Sequence, residues 1–338
     1  MSGIETAEKA MPKKRSKLKM FFYFVLLLII GLAALYLFGP REPVETTLRF
    51  EPSQLTEDLD AYLANSDAAD SDAQPHATKE IVWAYPTSKA KTPLSLVYVH
   101  GFSATKGETR PVPDMAAKAL GANLFYTRLE GHGAGSEAMA KPTVQDWMDD
   151  TAEAIEIGSR IGEKVIVIGV STGAPLAAVA ALHPELKDKI AGYILISPNF
   201  KLQNPASPLL TLPYARSWIP LVAGAERSFE TSNDLHAKFW TSTYPTTAVL
   251  PMAALVQHSR SLPYENIDKP ALFIYSEDDT VVDNTVSKQF LDRWGGETQL
   301  HLVEGADDQY NHVIAGDALS PNITQEVADV ITQWLKQF

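Results

Sequence analysis

The chain has 338 residues, of which 45% are hydrophobic and 21% are charged. This composition is typical of a folded globular protein and excludes a largely disordered one. The absence of cysteine excludes disulfides, a thiol nucleophile and thiolate metal sites. Residues 1–40 contain six basic and two acidic side chains, which leaves 23 basic and 39 acidic ones, a net charge of −16, in residues 41–338. A body this acidic has no basic face for nucleic acid.

The N-terminal residues predict a membrane anchor. Residues 21–38 read FFYFVLLLIIGLAALYLF, without a charge, and a helix of that length is about 27 Å long, close to the thickness of a bilayer core. Basic residues cluster just before it, which favours a cytoplasmic N-terminus. We therefore expect residues 1–20 to be a basic cytoplasmic segment and residues 21–38 a transmembrane helix. The remainder would be extracytoplasmic, and periplasmic in a bacterium.

Two alternatives to an anchor are a buried core helix and a cleaved signal peptide. A core helix rarely runs this long without polar residues. A signal peptide usually has a shorter apolar stretch and a small-residue cleavage site, whereas this segment ends in Phe38-Gly39-Pro40-Arg41. An uncleaved signal-anchor is the favoured interpretation.

Residues 39–78, rich in Glu, Asp, Ser, Ala and Pro, are expected to form a stalk or linker with one short helix over 52–65. From residue 79 onward, short apolar runs alternate with helical patterns. The predicted strands are 81–85, 94–100, 123–128, 165–170, 191–197, 271–276 and 298–303. The predicted helices are 113–120, 144–161, 174–183, 286–294 and 324–336.

This alternation predicts a mostly parallel, doubly wound α/β sheet over residues 79–338. Residues 201–267 interrupt it with seven prolines, several aromatic residues and no clear strand. We expect this stretch to be a cap inserted into the α/β domain.

A nucleophile motif lies between one of these strands and the helix that follows it. Gly169-Val170-Ser171-Thr172-Gly173 has the pattern G-x-S-x-G, in the strand–turn–helix context that this motif requires. The turn is too sharp for bulky neighbours, and it raises the Ser171 hydroxyl above the sheet edge. It also places the Thr172 amide at a helix N-terminus, where it can donate to an oxyanion. An earlier strand ends in His100-Gly101-Phe102, whose Phe102 amide would be the second donor.

A serine nucleophile needs a base, and the base needs an orienting acid. In chain order both should follow Ser171. Strand 271–276 is followed by several carboxylates, of which Asp279 is preferred, with Asp278 and Asp283 as alternatives. For the base, His301 lies within a predicted strand, whereas His312 lies in the loop after it and is preferred.

Taken in order, these motifs resemble the α/β-hydrolase superfamily. Within it they are similar to the serine hydrolase branch of monoacylglycerol lipase-like, lysophospholipase-like and carboxylesterase-like enzymes. The resemblance covers residues 79–338, and its anchors are YVHGF at 98–102, RLEGHG at 128–133, GVSTG at 169–173, SEDDTVV at 276–282 and the late His312. It implies a triad of Ser171, Asp279 and His312, with oxyanion amides on Phe102 and Thr172. It gives His132 a role in shaping the site but none in the chemistry.

These residues predict a serine hydrolase of carboxylic esters, acting through an acyl-enzyme without metal or cofactor. The apolar, aromatic cap could line a pocket for an acyl chain, or it could simply pack its own small core. A small-molecule or lipid ester is therefore the expected substrate. An amidase or peptidase and an acyltransferase on the same triad remain alternatives, as does a non-catalytic protein of the same fold.

Overall fold

A computed structural model describes residues 17–69 and 72–338. Its centre is a seven-stranded sheet with the order β1-β3-β2-β4-β5-β8-β9, and a separate two-stranded ribbon pairs β6 with β7. The strands are β1 Glu80–Val82, β2 Thr92–Val99, β3 Asn123–Tyr126, β4 Gly162–Val170, β5 Ile190–Ile196, β6 Glu226–Ser228, β7 Thr243–Pro245, β8 Ala271–Tyr275 and β9 Thr298–Leu302. Only β1 pairs antiparallel to its neighbour within the large sheet; the other pairs there are parallel.

Helices cover both faces of this sheet. They are α1 Lys17–Phe38, α2 Leu59–Ala69, α3 Val112–Leu120, α4 Val144–Ile161, α5 Gly173–Leu182, α6 Ala215–Ala223, α7 Asp234–Phe239, α8 Val249–Ser259, α9 Asn284–Arg293 and α10 Thr324–Leu335. Alternate residues of the central strands point to opposite faces, so one cluster packs under α3 and α10 and the other under α4, α5 and α9. The predicted doubly wound α/β fold is confirmed.

The cap region differs from the prediction in one respect. Residues 201–267 were expected to contain no strand, but β6 and β7 form an antiparallel ribbon there. Each strand has three residues, which is too short for an alternating pattern to be recognised. The rest of the region consists of short helices, including α6, α7 and α8.

Helix α1 contains the predicted apolar segment. The stretch Lys19–Phe38 has a mean hydropathy of 2.7 and is long and apolar enough to cross a membrane, and none of it is buried. Most of the predicted basic segment, residues 1–16, lies outside the described residues.

The segment expected to be a linker is packed against the α/β domain. Exposure alternates along residues 42–50, with Val44, Leu48 and Phe50 partly buried against the core. Arg49 binds Asp149 at 2.7 Å on α4. The helix begins later than predicted, at Leu59, after a single 3-10 turn. Residues distant in sequence hold this segment in place. A local composition rich in Glu, Asp and Ser could not predict those contacts.

Candidate active site

The turn between β4 and α5 has the tight geometry that a nucleophile elbow needs. Ser171 has a φ of 47°, in the left-handed region that few side chains adopt. A Cβ on Gly173 would lie 2.1 Å from the Val99 carbonyl oxygen, and a Cβ on Gly169 would lie 2.7 Å from the Gly173 carbonyl oxygen. Both positions therefore require glycine because backbone occupies the space.

The turn brings Ser171 to His312 and Asp279. Ser171 Oγ lies 3.0 Å from His312 Nε2, and His312 Nδ1 lies 2.7 Å from Asp279 Oδ2. Because a carboxylate only accepts, Nδ1 carries the hydrogen toward Asp279 and Nε2 accepts from the serine hydroxyl. The Asp279 side chain is fully buried and that of His312 is 12% exposed. The three residues form one hydrogen-bonded line.

Asp279 is oriented by the loop that follows β8. Its Oδ1 accepts from the amides of Val281 at 2.7 Å and Val282 at 2.9 Å, which leaves Oδ2 for the imidazole. The alternatives lie elsewhere: Asp283 pairs with Lys201 and caps α9, and Asp278 is exposed. His301, the other histidine considered, pairs with Glu326 at 2.9 Å.

A second carboxylate, Asp308, shapes the loop that carries His312. Its Oδ2 accepts from the amides of His312 at 3.0 Å and Val313 at 2.9 Å. Its own amide donates to Ser320 Oγ. Asp308 belongs to no recognisable motif in the sequence. The only local signal is an aspartate four residues before the histidine, which suits a side chain that accepts from nearby amides.

A third carboxylate, Glu108, lies on the other side of the nucleophile. It is 3% exposed, and its Oε2 accepts from the Gly101 amide at 2.7 Å. A Cβ on Gly101 would lie 2.5 Å from Glu108 Oε1 and 3.0 Å from Ser171 Cβ, so Gly101 packs closely against both residues. Burial raises the pKa of Glu108 to about 7, although the Gly101 hydrogen bond and the nearby His312 oppose this change. No sequence pattern pointed to Glu108.

The environment of His312 favours its charged form. Burial lowers its pKa, but the charge and hydrogen bond of Asp279, together with the charges of Glu108 and Asp308, more than offset this effect. The pKa of His312 is therefore raised above the ordinary value of 6.5. An imidazole of this kind accepts a proton readily and holds it as an ion pair with Asp279.

The amides expected to stabilise an oxyanion have no partner within the described chain. Neither the Phe102 nor the Thr172 amide donates to a described protein group. Thr172 is the N-cap of α5, where the helix dipole favours negative charge. The Phe102 ring packs edge-on against His132 and against Tyr244 of the cap.

His132 packs against the Phe102 ring, and His100 lies two residues before Phe102. Both histidines are unsuited to proton transfer. Burial lowers the pKa of His132 to about 4 and that of His100 well below its ordinary value. His100 Nε2 accepts from the Leu129 amide at 3.0 Å. Within residues 17–69 and 72–338, no cluster of three or more His, Asp or Glu side chains is arranged to hold a metal ion.

The site brings together a serine with a positive φ, an imidazole, a buried carboxylate and two amides without a described partner, of which the Thr172 amide lies at a helix N-terminus. These are the groups that a serine hydrolase would use. Comparison with known proteins agrees. A family model described as serine aminopeptidase, S33, matches residues 91–307, more than half of the chain. The chain belongs to this family. The match begins at the residue before β2 and ends shortly after β9.

Individual relatives of this S33 member include lipases. A thermostable monoacylglycerol lipase from Bacillus sp. (strain H-257) is 27% identical over 191 residues, which are 56% of this chain and 72% of the relative. A structure from a study of two metagenome-derived lipolytic enzymes, LipS and LipT, has a TM-score of 0.64 at 20% identity, over 79% of this chain and all of the other. A soluble variant of monoglyceride lipase from Saccharomyces cerevisiae has a TM-score of 0.57 at 16% identity, over 77% of this chain and 90% of the other. At such identities the structures establish a shared α/β-hydrolase fold.

Proposed function

We propose that this chain is a carboxylic ester hydrolase that forms an acyl-enzyme on Ser171. The observation that carries the proposal is the hydrogen-bonded line from Ser171 Oγ through His312 to Asp279, at 3.0 and 2.7 Å. An alcohol is a weak nucleophile at neutral pH, and this line supplies the base that it lacks. The monoacylglycerol lipases among its relatives support the ester as the bond that is cleaved.

The proposed reaction has two acyl-transfer steps. His312 Nε2 takes the Ser171 proton as Oγ attacks the ester carbonyl, and the amides of Phe102 and Thr172 stabilise the oxyanion. The tetrahedral intermediate collapses, the ester C–O bond breaks, and the imidazolium returns the proton to the leaving alcohol. His312 then takes a proton from water as the water oxygen attacks the acyl-enzyme carbonyl. The second tetrahedral intermediate collapses, the bond between the acyl carbon and Ser171 Oγ breaks, and the imidazolium returns the proton to Oγ as the carboxylic acid leaves. Asp279 holds the imidazole in the productive tautomer throughout.

We propose a lipid-like acyl ester as the substrate, met near a bilayer. Support comes from α1, which is long and apolar enough to span a membrane, and from the apolar residues of the cap. The proposed topology places the N-terminus in the cytoplasm and the catalytic domain on the extracytoplasmic side, because basic residues precede the helix. Residues 79–338 would form the hydrolase domain, with residues 201–267 as its cap.

The proposal is tested by giving the purified full chain p-nitrophenyl esters of graded acyl length. We expect hydrolysis by the wild type and its near-complete loss in Ser171→Ala, because the nucleophile is removed. The exposed Ser217→Ala, on α6, is a matched control that should keep wild-type rates. A wild type inactive on every ester, or a Ser171→Ala variant as active as the wild type, contradicts the proposal.

A peptidase is the second candidate, because the matching family model is described as a serine aminopeptidase. Recognising a free α-amine would need a carboxylate held in the site by the cap. The acidic residues of the cap, Glu226, Glu230, Asp234 and Glu265, are all exposed, which favours the ester. Amino acid p-nitroanilides in the same assay distinguish the two: we expect slower turnover than with the esters, and the reverse order favours the peptidase.

A further inference from the structure

One stretch of the cap is almost free of charge. Residues 202–225 contain a single charged side chain, Arg216, although 21% of the whole chain is charged. A surface stretch of this length in so acidic a protein would ordinarily carry several charges. We call residues 202–225 the apolar cap face.

The apolar cap face exposes its hydrophobic side chains. Leu221 is 85% exposed and Val222 is 78% exposed, more than any other large hydrophobic residue described outside α1. Both lie near the end of α6, whose Ile219 is buried inside the cap. Leu209, 47% exposed, lies in the same stretch of the chain. Several exposed large apolar side chains within one short, nearly uncharged stretch are typical of a site that contacts a partner or a membrane.

The same face is joined to the end of α1. The Tyr214 amide donates to the Pro40 carbonyl at 2.8 Å, and Arg41 donates to the Thr211 carbonyl at 2.7 Å. Gly39 fits so closely that a Cβ there would lie 2.7 Å from both Pro213 and Tyr214. These contacts begin at the residue directly after the apolar helix.

An ion pair completes this junction. Arg216 donates to both carboxylate oxygens of Glu42, at 2.6 and 2.7 Å. The Glu42 side chain is only 3% exposed, so the bidentate pair is firmly held. It also neutralises the one charge of the apolar cap face. Leu221 is seven residues beyond Tyr214, or about 10 Å along the helix axis.

We propose that the apolar cap face docks on the phospholipid bilayer that α1 spans, and that the contacts of residues 39–42 hold it there. Continuity with the spanning helix identifies the occupant: a face joined to the end of α1 meets lipid before it can meet any other partner. Leu221 and Val222 enter the interfacial region, where apolar side chains are stabilised by leaving water. The inference rests on the proposed membrane span. It extends the proposed function, because an ester in the bilayer would reach Ser171 beneath a membrane-bound cap.

The first test uses the absence of native cysteine, which permits labelling at one chosen position. Full-length Leu221→Cys, carrying an environment-sensitive fluorophore, is reconstituted into phosphatidylcholine vesicles with or without brominated acyl chains. Glu163→Cys is the matched control, because Glu163 is exposed at the start of β4, at the end of the strand opposite to Ser171. We expect a blue shift and quenching by brominated lipid at position 221 and neither at position 163. A label at 221 that behaves like the one at 163 overturns the proposal.

The apolar cap face could instead contact the same face of a second copy of the chain, and labels at position 221 distinguish this case. If the apolar cap faces of two copies met instead, donor- and acceptor-labelled chains would show energy transfer at position 221 that rises with protein density. Brominated lipid would then leave the label unquenched. That result also overturns membrane docking.

The second test concerns the junction. Arg216→Glu should weaken quenching at position 221 and slow hydrolysis of a monoacylglycerol held in the vesicles, because two carboxylates would then repel each other. Glu42→Arg combined with Arg216→Glu should restore both. Hydrolysis of a water-soluble p-nitrophenyl ester should stay within about twofold of wild type in every variant, since neither residue touches the triad.

These readouts separate the two proposals. If no variant or wild type cleaves the soluble ester, the proposed hydrolysis fails while the quenching still tests docking. If Arg216→Glu leaves the quenching unchanged, the junction does not hold the cap face and this part of the inference is wrong.

Discussion

At the scale of single residues, His312 is surrounded by three carboxylates with different tasks. Asp279 binds its Nδ1, and Asp308 accepts from its backbone amide. Glu108 is bonded to the Gly101 amide and acts on the ring through its charge alone. All three raise the pKa of the imidazole against the effect of burial. Because a general base must be neutral to act, the hydrolysis rate should fall as the pH drops through this raised pKa.

Removing the charge of Glu108 should change that pH dependence. Glu108→Gln keeps a group that can accept from the Gly101 amide but removes a negative charge near the imidazolium. The proton on His312 is then less stabilised, so its pKa falls and the acidic limb of the kcat/KM profile moves to lower pH. The shift should stay below about one unit, because Glu108 has a pKa of about 7 and is itself partly protonated in that range. Glu163→Gln, an exposed acid on β4, is the control and should leave the limb in place. A limb that moves to higher pH, or not at all, contradicts this role.

Asp279 should be distinguishable from its neighbour by the same assay. In Asp279→Asn the side chain no longer selects the tautomer with hydrogen on Nδ1, and kcat should fall by about 10⁴-fold, as in other serine triads. Asp278→Asn should lose little, because that side chain is exposed and only its backbone amide is bonded, to Ser276 Oγ at 3.3 Å. Equal losses in the two variants would mean that the acid has been misassigned.

At the scale of elements, the elbow depends on how closely α5 approaches β2. Gly173→Ala would place a Cβ 2.1 Å from the Val99 carbonyl oxygen, so the helix would have to move away and Ser171 with it. We expect Gly173→Ala to lose ester hydrolysis and to have a lower melting temperature, which is measured by circular dichroism. Gly31→Ala on α1, where a Cβ would meet no atom within 4 Å, should change neither. A fully active Gly173→Ala would show that the turn can accommodate a Cβ at position 173, and it would contradict this prediction.

The segment before β1 should contribute to the stability of the domain. Leu63 on α2 is 5% exposed within the core cluster, and Leu63→Ala should lower the free energy of unfolding by about 2–4 kcal/mol. Asn65→Ala, exposed on the same helix, should change it little. Urea unfolding of the full chain measures both. A Leu63→Ala variant as stable as Asn65→Ala would mean that the segment is a linker after all.

Elements with long, regular patterns could be predicted from the sequence. Helix α4 begins and ends where its apolar spacing indicated, at Val144 and Ile161, and the buried strands are within a few residues of their predicted bounds. What could not be predicted depends on contacts between distant residues. Arg49 is ordered by Asp146 and Asp149, almost a hundred residues away.

The site shows the same division. Ser171 could be proposed because its motif is local, with glycines that the backbone geometry demands. Asp279 and His312 could be proposed because each follows a strand whose carboxyl end lies at the same sheet edge, and the structure brings both side chains to Ser171. Glu108 could not be proposed, because its place near the site comes from burial and from its hydrogen bond to the Gly101 amide, which no spacing in the sequence encodes.

At the scale of the whole molecule, the sheet, the cap and the apolar helix are arranged around one end of the strands. Ser171 and Asp279 follow the carboxyl ends of β4 and β8, and the cap sequence lies between β5 and β8 in the chain. The end of α1 contacts this cap through residues 39–42. We therefore expect the proposed catalytic residues, the cap and α1 to act together.

The central claim is that Ser171 is the residue that becomes acylated. The full chain is mixed with a p-nitrophenyl ester, quenched in acid within the first turnovers, digested and analysed by mass spectrometry. We expect one acyl adduct, on the peptide that contains Ser171, and none in Ser171→Ala. An adduct on a different residue, or undiminished ester hydrolysis by Ser171→Ala, would contradict it.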